Sequence, residues 1–278
     1  MKLLTLRTIL AATDLDEGSL AALATARELG EAAGAHIHLV HVSNDERATN
    51  AVATSARDAG FPAGAASVHV VKGDPSHAIN VLGDKLGADA ILVGSHRKRH
   101  EARGRQLLGS TALALVTNAS VPCMVVVNPL RLPLCRVLAG VEIADSAEGT
   151  LAVALSWASA LRAQGRGGAP PTVLTALHVD RSTEDRRSAL DEILEKVRQE
   201  AGNWAGAAIE SAVTDNADAA SGIAEYARAN DTDMVVLGTR GLGQGAVGRL
   251  GSVAAGVMQK IDTPILLVPP AMWMAHAT

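Results

Sequence analysis

Ala88-Asp89-Ala90-Ile91-Leu92-Val93-Gly94 and Thr232-Asp233-Met234-Val235-Val236-Leu237-Gly238 are two versions of one segment, 144 residues apart. Each runs from an aspartate through unbroken apolar residues to a glycine. A short apolar run without polar alternation is the pattern of a strand buried on both faces. A shared order of elements would be weak evidence of kinship, but matching local sequence points to duplication.

The surrounding chain alternates strands with helices. Residues 8–14 read as a short strand ending in Asp14. Residues 19–33 read as a helix with Leu20, Leu23, Ala24 and Ala26 on one face, Ser19 at its start and Gly34 at its stop. Strands are predicted at 36–42, 67–71, 88–93 and 121–127, with helices at 47–59, 75–86 and 109–118. The pattern restarts at 136–142 and continues through a helix at 151–161, a strand at 172–179, a helix at 184–204 and strands at 233–237 and 263–268. His41-Val42 and His178-Val179 close corresponding strands. Such alternation predicts βαβ crossovers and a parallel, doubly wound α/β sheet. Residues 128–133, with Pro129 and Pro133, read as a linker between domains at 1–130 and 131–278.

Composition agrees with this plan and excludes other classes. The chain has 278 residues, 48% hydrophobic, and 52 of them are alanine, which suits helices lying close on a sheet. Phe61, Tyr226, Trp157, Trp204 and Trp273 are the whole aromatic set, too few for a base-stacking nucleic-acid surface. A net charge of −4 gives no electrostatic footprint for duplex nucleic acid. Cys123 and Cys135 support neither a disulfide framework nor a CxxC metal pair, which fits a reducing compartment. Arg7 and Asp14 break up the apolar N-terminus, so a first strand is expected there rather than a signal peptide. No apolar run reaches 18 residues. The expectation is a cytoplasmic protein with no membrane span and no nucleic-acid partner.

The richest segment is Gly238-Thr-Arg-Gly241-Leu-Gly243-Gln-Gly245-Ala-Val-Gly248-Arg249-Leu-Gly251-Ser252. It leaves a buried strand and enters a helix, at the carboxyl edge where open α/β sheets bind ligands. Glycine N–H groups can approach phosphate oxygens with no Cβ in the way. A helix start after Gly251 adds unpaired donors. No lysine precedes Ser252, so the segment is not a Walker A loop. Gly243-x-Gly245-x-x-Gly248 spells the dinucleotide fingerprint but starts five residues past the strand and follows a fourth strand rather than a first.

The remaining spacing, Gly238-x2-Gly241-x9-Gly251-Ser252, resembles the ATP-binding motif of the universal stress protein family. Asp14 at a strand end, His41-Val42, Gly73-Asp74-Pro75, Leu108-Gly109-Ser110-Thr111 and Val121-Pro122 also match that family. The resemblance spans the chain as two tandem Rossmann-like (adenine nucleotide α-hydrolase-like) domains. It implies for each a five-stranded parallel sheet with helices on both faces, and ATP, with or without Mg²⁺, at the carboxyl edge. Carried onto the second domain, Gly238, Gly241, Gly251 and Ser252 would hold phosphates and ribose, and Val179 would meet adenine through its backbone. Glu142 stands where the family carries an aspartate, one methylene shorter. Gly140, Leu237 and Val253 complete the candidate set. Asp215-Asn-Ala-Asp218 replaces the family's Gly-x-Pro. The family's pairing through last strands implies an intrachain pseudo-dimer of 121–127 with 263–268, and a homodimer as a further level.

The first domain departs differently. Its loop reads Gly94-Ser-His-Arg97, and Arg97 puts a side chain where the motif has its second glycine, so poor or absent ATP binding is expected there. Arg97, Lys98, Arg99, Arg103 and Arg105 make that loop basic, which reads first as a solvated surface. Seven of the nine histidines lie in this half; His36 and His38 share a strand face, with His69 on the neighbouring strand. No cysteine or carboxylate completes a metal site around them or around His96 and His100. No Ser/His/Asp order or nucleophile elbow is visible, so no catalytic residue is named. The reading is a stress-response regulator that binds ATP in its second domain. A slow ATPase or phosphotransferase, and a scaffold with a vestigial site, are the alternatives.

Overall fold

A computed structural model describes residues 5–45, 47–95, 109–144, 146–162, 171–180, 183–201, 207–239, 250–270 and 272. The first half contains β1 (Thr8–Ala12), α1 (Glu17–Ala33), β2 (His36–Val42), α2 (Ala48–Asp58), β3 (Ser67–Val71), α3 (Pro75–Leu86), β4 (Ala90–Gly94), α4 (Ser110–Asn118) and β5 (Cys123–Val126). The second contains β6 (Arg136–Gly140), α5 (Ser146–Ala160), β7 (Thr172–Val179), α6 (Thr183–Ala201), β8 (Ala207–Thr214), α7 (Ala219–Ala229), β9 (Met234–Gly238), α8 (Ser252–Met258) and β10 (Ile265–Val268). β8 and α7 have no counterpart among the segments read from the sequence, and α5 begins at Ser146 rather than 151.

The strands form one ten-stranded sheet in the order β3-β2-β1-β4-β5-β10-β9-β6-β7-β8. Within each half all neighbours are parallel. The halves join where β5 and β10 pair antiparallel, Val125 opposite Ile265 and Cys123 opposite Leu267. The resemblance implied a five-stranded sheet in each half and pairing of the last strands within the chain; β5 and β10 do pair, which makes the sheet continuous and covers two apolar edges at once.

Alternating apolar residues on these strands feed two core layers. Leu39, Met124, Leu266 and Leu174 face α1, α2, α5 and α6 in one. Val40, Cys123, Leu267 and Leu177 face α3, α4, α7 and α8 in the other. Both layers cross the junction between halves. Leu130 and Leu134 of the linking segment are buried, and the Leu130 N–H donates to Thr25 Oγ1 (3.0 Å). At the outer edge the Arg198 guanidinium donates to the Ile209 carbonyl of β8 (2.7 Å), which occupies an acceptor that a foreign strand would otherwise use.

The duplication survives in fine detail. Asp89 Oδ2 accepts from the N–H groups of Arg7 (2.7 Å) and Thr8 (2.8 Å) at the start of β1. Asp233 Oδ2 accepts from Cys135 and Arg136, both at 2.8 Å, at the start of β6. These are the aspartates of the two matching segments, and they tie each β4-type strand to the first strand of its half. No described helix is long and apolar enough to cross a membrane.

Candidate functional site

In each half the strand order reverses direction beside the first strand, between β1 and β4 and between β6 and β9. Strand carboxyl ends part there and leave a crevice. In the first half, β1 ends at Ala12, so Thr13 and Asp14 belong to the following turn rather than to the strand. The Thr13 N–H donates to the Val40 carbonyl (2.9 Å), and the His41 Nδ1–H to the Thr13 carbonyl (2.8 Å). Thr13 Oγ1 lies 2.8 Å from Ser19 Oγ, accepts from the Leu15 N–H (3.0 Å), and both hydroxyls are buried. This network fixes a turn tight enough to hold Leu15 at φ 69°. A cavity of about 140 Å³ opens above it, lined by Thr13, Asp14, His41, Val42, Ile79 and Thr111 among others.

The second half repeats the frame with different side chains. The Val141 N–H donates to the Leu177 carbonyl (2.9 Å), and the His178 Nδ1–H donates to the Val141 carbonyl (3.0 Å). Thus both His-Val pairs pin the second strand's end to the first strand's turn. Val141 and Ala147 take the places of Thr13 and Ser19, so the buried polar pair is absent from this half. Asp180, which follows Val179, accepts from Arg186 Nε (2.8 Å) and lies 3.8 Å from His178 Nε2. Sequence reading did not single out Asp180 or Arg186, since neither belongs to a motif.

Of the candidate residues, Gly140 and Leu237 are paired in register between β6 and β9. A Cβ on Gly140 would meet Leu237 Cδ2 at 2.6 Å and Ile223 Cδ1 at 2.9 Å. Leu237 is buried, so only its main chain could meet a ligand. Val179 ends β7 and packs on α7, where a Cβ on Gly222 would lie 2.8 Å from its Cγ1. Glu142 is exposed at the rim. Gly251 is the N-cap of α8, and its N–H donates to the Thr239 carbonyl (2.8 Å), which draws the helix start back to the end of β9. Ser252 and Val253 are exposed in the first turn, where N–H groups have no intrahelical acceptor. Gly241 lies outside the described residues, as do Arg240, Arg249 and the basic loop from Arg97 to Arg105. The structure therefore brings Gly140, Glu142, Val179, Gly238, Gly251 and Ser252 to one edge of the sheet.

The strand-to-helix turn that follows the third strand is capped alike in both halves. Asp74 Oδ1 accepts from the His77 N–H (2.9 Å) and Ser76 Oγ (2.7 Å), and these bonds, the His77 backbone bond foremost, hold its carboxyl below the usual range. Asp218 accepts from Ser221 Oγ (2.6 Å) and the Ser221 N–H (3.1 Å), with the hydroxyl bond the main cause of the same lowering. Asp218 thus does the capping work although the Gly-x-Pro spacing is missing.

No curated protein matches the chain in sequence. Among solved structures, a universal stress protein from Archaeoglobus fulgidus is 20% identical, with 94% of this chain and 98% of that one covered and a TM-score of 0.66. A putative universal stress protein from Pseudomonas aeruginosa is 18% identical over 98% and 96% of the two chains, with a TM-score of 0.65. The cytoplasmic domain of a prokaryotic cation chloride cotransporter shares the fold at 10% identity, 95% and 96% coverage and a TM-score of 0.53. At these identities the likeness is one of fold. The model of the universal stress protein family matches residues 45–127 and again 136–269, so the chain belongs to the universal stress protein family.

Proposed function

We propose that this protein binds ATP at the carboxyl edge of its second half and acts as a nucleotide-dependent regulator in the stress response. The observation that supports this most is the convergence of Gly140, Val179, Gly238 and Gly251 there, with the Gly251 N–H tied to Thr239. The donor set suits a polyphosphate: Ser252 is exposed in the first turn of α8, where N–H groups have no intrahelical acceptor, beside Gly251 at the helix start. Val179 would offer main-chain groups to adenine, and Glu142 would meet the ribose or a bound Mg²⁺. The metal would supply neutralising charge at the phosphates. The charge split agrees with backbone donors: residues 1–130 carry 12 basic and 12 acidic side chains, whereas 131–278 carry 13 and 17. A hydrolase needs a positioned attacking water and charge on the γ-phosphate, and the described residues around this edge offer no such arrangement.

A second reading has its own support. The first-half cavity, with Asp14 and the buried Thr13–Ser19 pair, favours a small ligand there as well. Mass spectrometry of the purified full-length protein under native conditions, with added ATP and Mg²⁺, tests the proposal. One ATP per chain, lost in a Gly251→Val/Ser252→Ala variant, is expected. Retention of ATP by that variant would refute the assignment to the second half, and no uptake by either would leave the scaffold reading standing.

A further inference from the structure

Three histidines that the nucleotide site does not use meet at the opposite, amino-terminal end of the sheet. His38 Nδ1 lies 2.8 Å from His69 Nε2, joining β2 to β3. The His36 ring stands edge-on to His38 at 4.6 Å between centroids, and His36 Nε2 lies 3.1 Å from Ser67 Oγ. β3 is the last strand of the sheet on this side, so among the described residues no strand pairs with its outer flank. Every position of this cluster is different in the second half. Counting back from His41 and His178 puts Val173 and Thr175 at the places of His36 and His38. The strand registers put Ala212 at the place of His69. Counting from the capping Asp74 and Asp218 puts Ala229 at the place of Lys85. The fold itself therefore does not require these side chains.

We propose that the His38–His69 pair is a proton-operated latch that holds edge strand β3, and with it α3, against the sheet. The chemistry follows from the bond. One ring donates an N–H and the other accepts with its lone pair, so the pair can take one proton on the outer nitrogen of the donor ring and keep the bond. A second proton lands on the accepting nitrogen and leaves two N–H groups facing each other. Two imidazolium rings then stand beside Lys85, whose charge already bears on His69.

Among the described residues, the carboxylates of the packing elements have other partners. On α3, the helix over this face, the charged groups are His77, Asp84 and Lys85; Asp84 is engaged by Ser120 Oγ (2.5 Å), and His77 sits in the first turn at the far end. On β2 the remaining group is His41, held by the Thr13 carbonyl; β1 carries none, and Asp89 beyond α3 is turned to Arg7 and Thr8. Lys72 follows β3 and adds a cation rather than an anion.

The latch reaches the crevice through α3. That helix has Lys85 in its last turn, beside His69, and Pro75 and Ile79 in the wall of the first-half cavity. Gly73, at φ 117°, is the joint between β3 and α3. α3 itself packs on α4, β2 and β1, so the joint at Gly73 is the link by which release of β3 loosens one wall of the cavity. The sign is fixed by the histidines: burial first, then His36 and His69, lowers His38, and burial first, then Lys85, lowers His69. The latched state binds fewer protons than the open one, so the latch is fully closed above the ordinary histidine pKa of about 6.5 and is lost as pH falls through the lowered values.

Amide hydrogen exchange of the full chain between about pH 8 and about pH 5, corrected for intrinsic rates, reads this directly. Below about pH 6.5, opening of β3 and α3 is expected to grow by up to about tenfold per pH unit for each proton taken up. β8 and α7, their counterparts without histidines, should not change. His38→Thr and His69→Ala, which install the second half's residues, should flatten the response. NMR titration of the unmodified protein should show both rings titrating below about 6.5. Equal loss of protection in β8, persistence of the response in both variants, or either ring titrating above that value would overturn the latch. Disappearance of the response on adding EDTA would also overturn it, since a metal would then hold the cluster. Among the described residues no three metal-ligating side chains are placed to hold one.

Discussion

Gly18 and Gly94 touch through their backbones: a Cβ on Gly94 would fall inside contact distance of the Gly18 carbonyl oxygen and only 2.8 Å from the Ser19 Cα. The first turn of α1 thus crosses the end of β4 with no room for a side chain. Both atoms met are main chain, so no rotamer change relieves the clash. Gly94→Ala is expected to destabilise the protein by about 1–3 kcal/mol, as overpacking of rigid sites does. Urea denaturation would show a lower midpoint with an unchanged slope.

The Gly140–Leu237 contact is of the softer kind, because the tip of a leucine can move. The first half places Ala12 and Val93 at these positions, exchanging a methyl group between facing strands. Leu237→Val in the Gly140→Ala background should therefore recover stability lost by Gly140→Ala alone. A double-mutant cycle is expected to give a favourable coupling of about 1 kcal/mol. Additive single effects would show that positions 140 and 237 pack independently of each other.

Asp89 and Asp233 each satisfy two main-chain N–H groups with a single carboxylate oxygen. Substituting alanine at either leaves both donors without that acceptor, a loss of about 1–3 kcal/mol. Asparagine keeps one acceptor oxygen and should recover most of it. Thermal unfolding of the four variants would check this, and a similar loss in both halves is expected.

Cys123 is buried, and burial alone pushes its thiol up to about 12. Cys135 is half-buried and raised less, by partial burial and then by Asp233. A thiol reagent near neutral pH should therefore modify Cys135 slowly and Cys123 only after unfolding. Fast modification of both thiols in the folded protein would contradict this burial.

The lowered carboxyls of Asp74 and Asp218 give the caps a common acid dependence. Each folded-state value lies below the ordinary 3.8, so the caps contribute fully above that pH and are lost as pH falls through the lowered values. Asn replacement at both positions should reduce the acid sensitivity of α3 and α7 while keeping an N-cap acceptor. Circular dichroism during acid titration follows it.

Much of this architecture was legible in the sequence for a physical reason. A strand buried on both faces must be apolar throughout, so 88–94 and 232–238 announced themselves. The alanine-rich β8 is an edge strand of half-exposed residues, and nothing in its composition sets it apart from a loop or helix. Glycine spacing points to the second-half edge because the phosphate contact proposed there would be made by backbone, which imposes a local pattern. The first-half cavity left no such mark, since it depends on Thr13, Ser19, Ile79 and Thr111 arriving from four separate elements or turns. The histidine cluster was half visible: the shared strand face of His36 and His38 is a matter of period, but the contact with His69 depends on the register between β2 and β3.

Calorimetric titration of the full chain with ATP and Mg²⁺, repeated on Gly251→Val/Ser252→Ala and on Asp14→Asn, separates the halves directly. With the nucleotide site in the second half, as proposed, one site per chain should vanish in the first variant and persist in the second. Binding that survives the Gly251/Ser252 change and is lost with Asp14→Asn would contradict it.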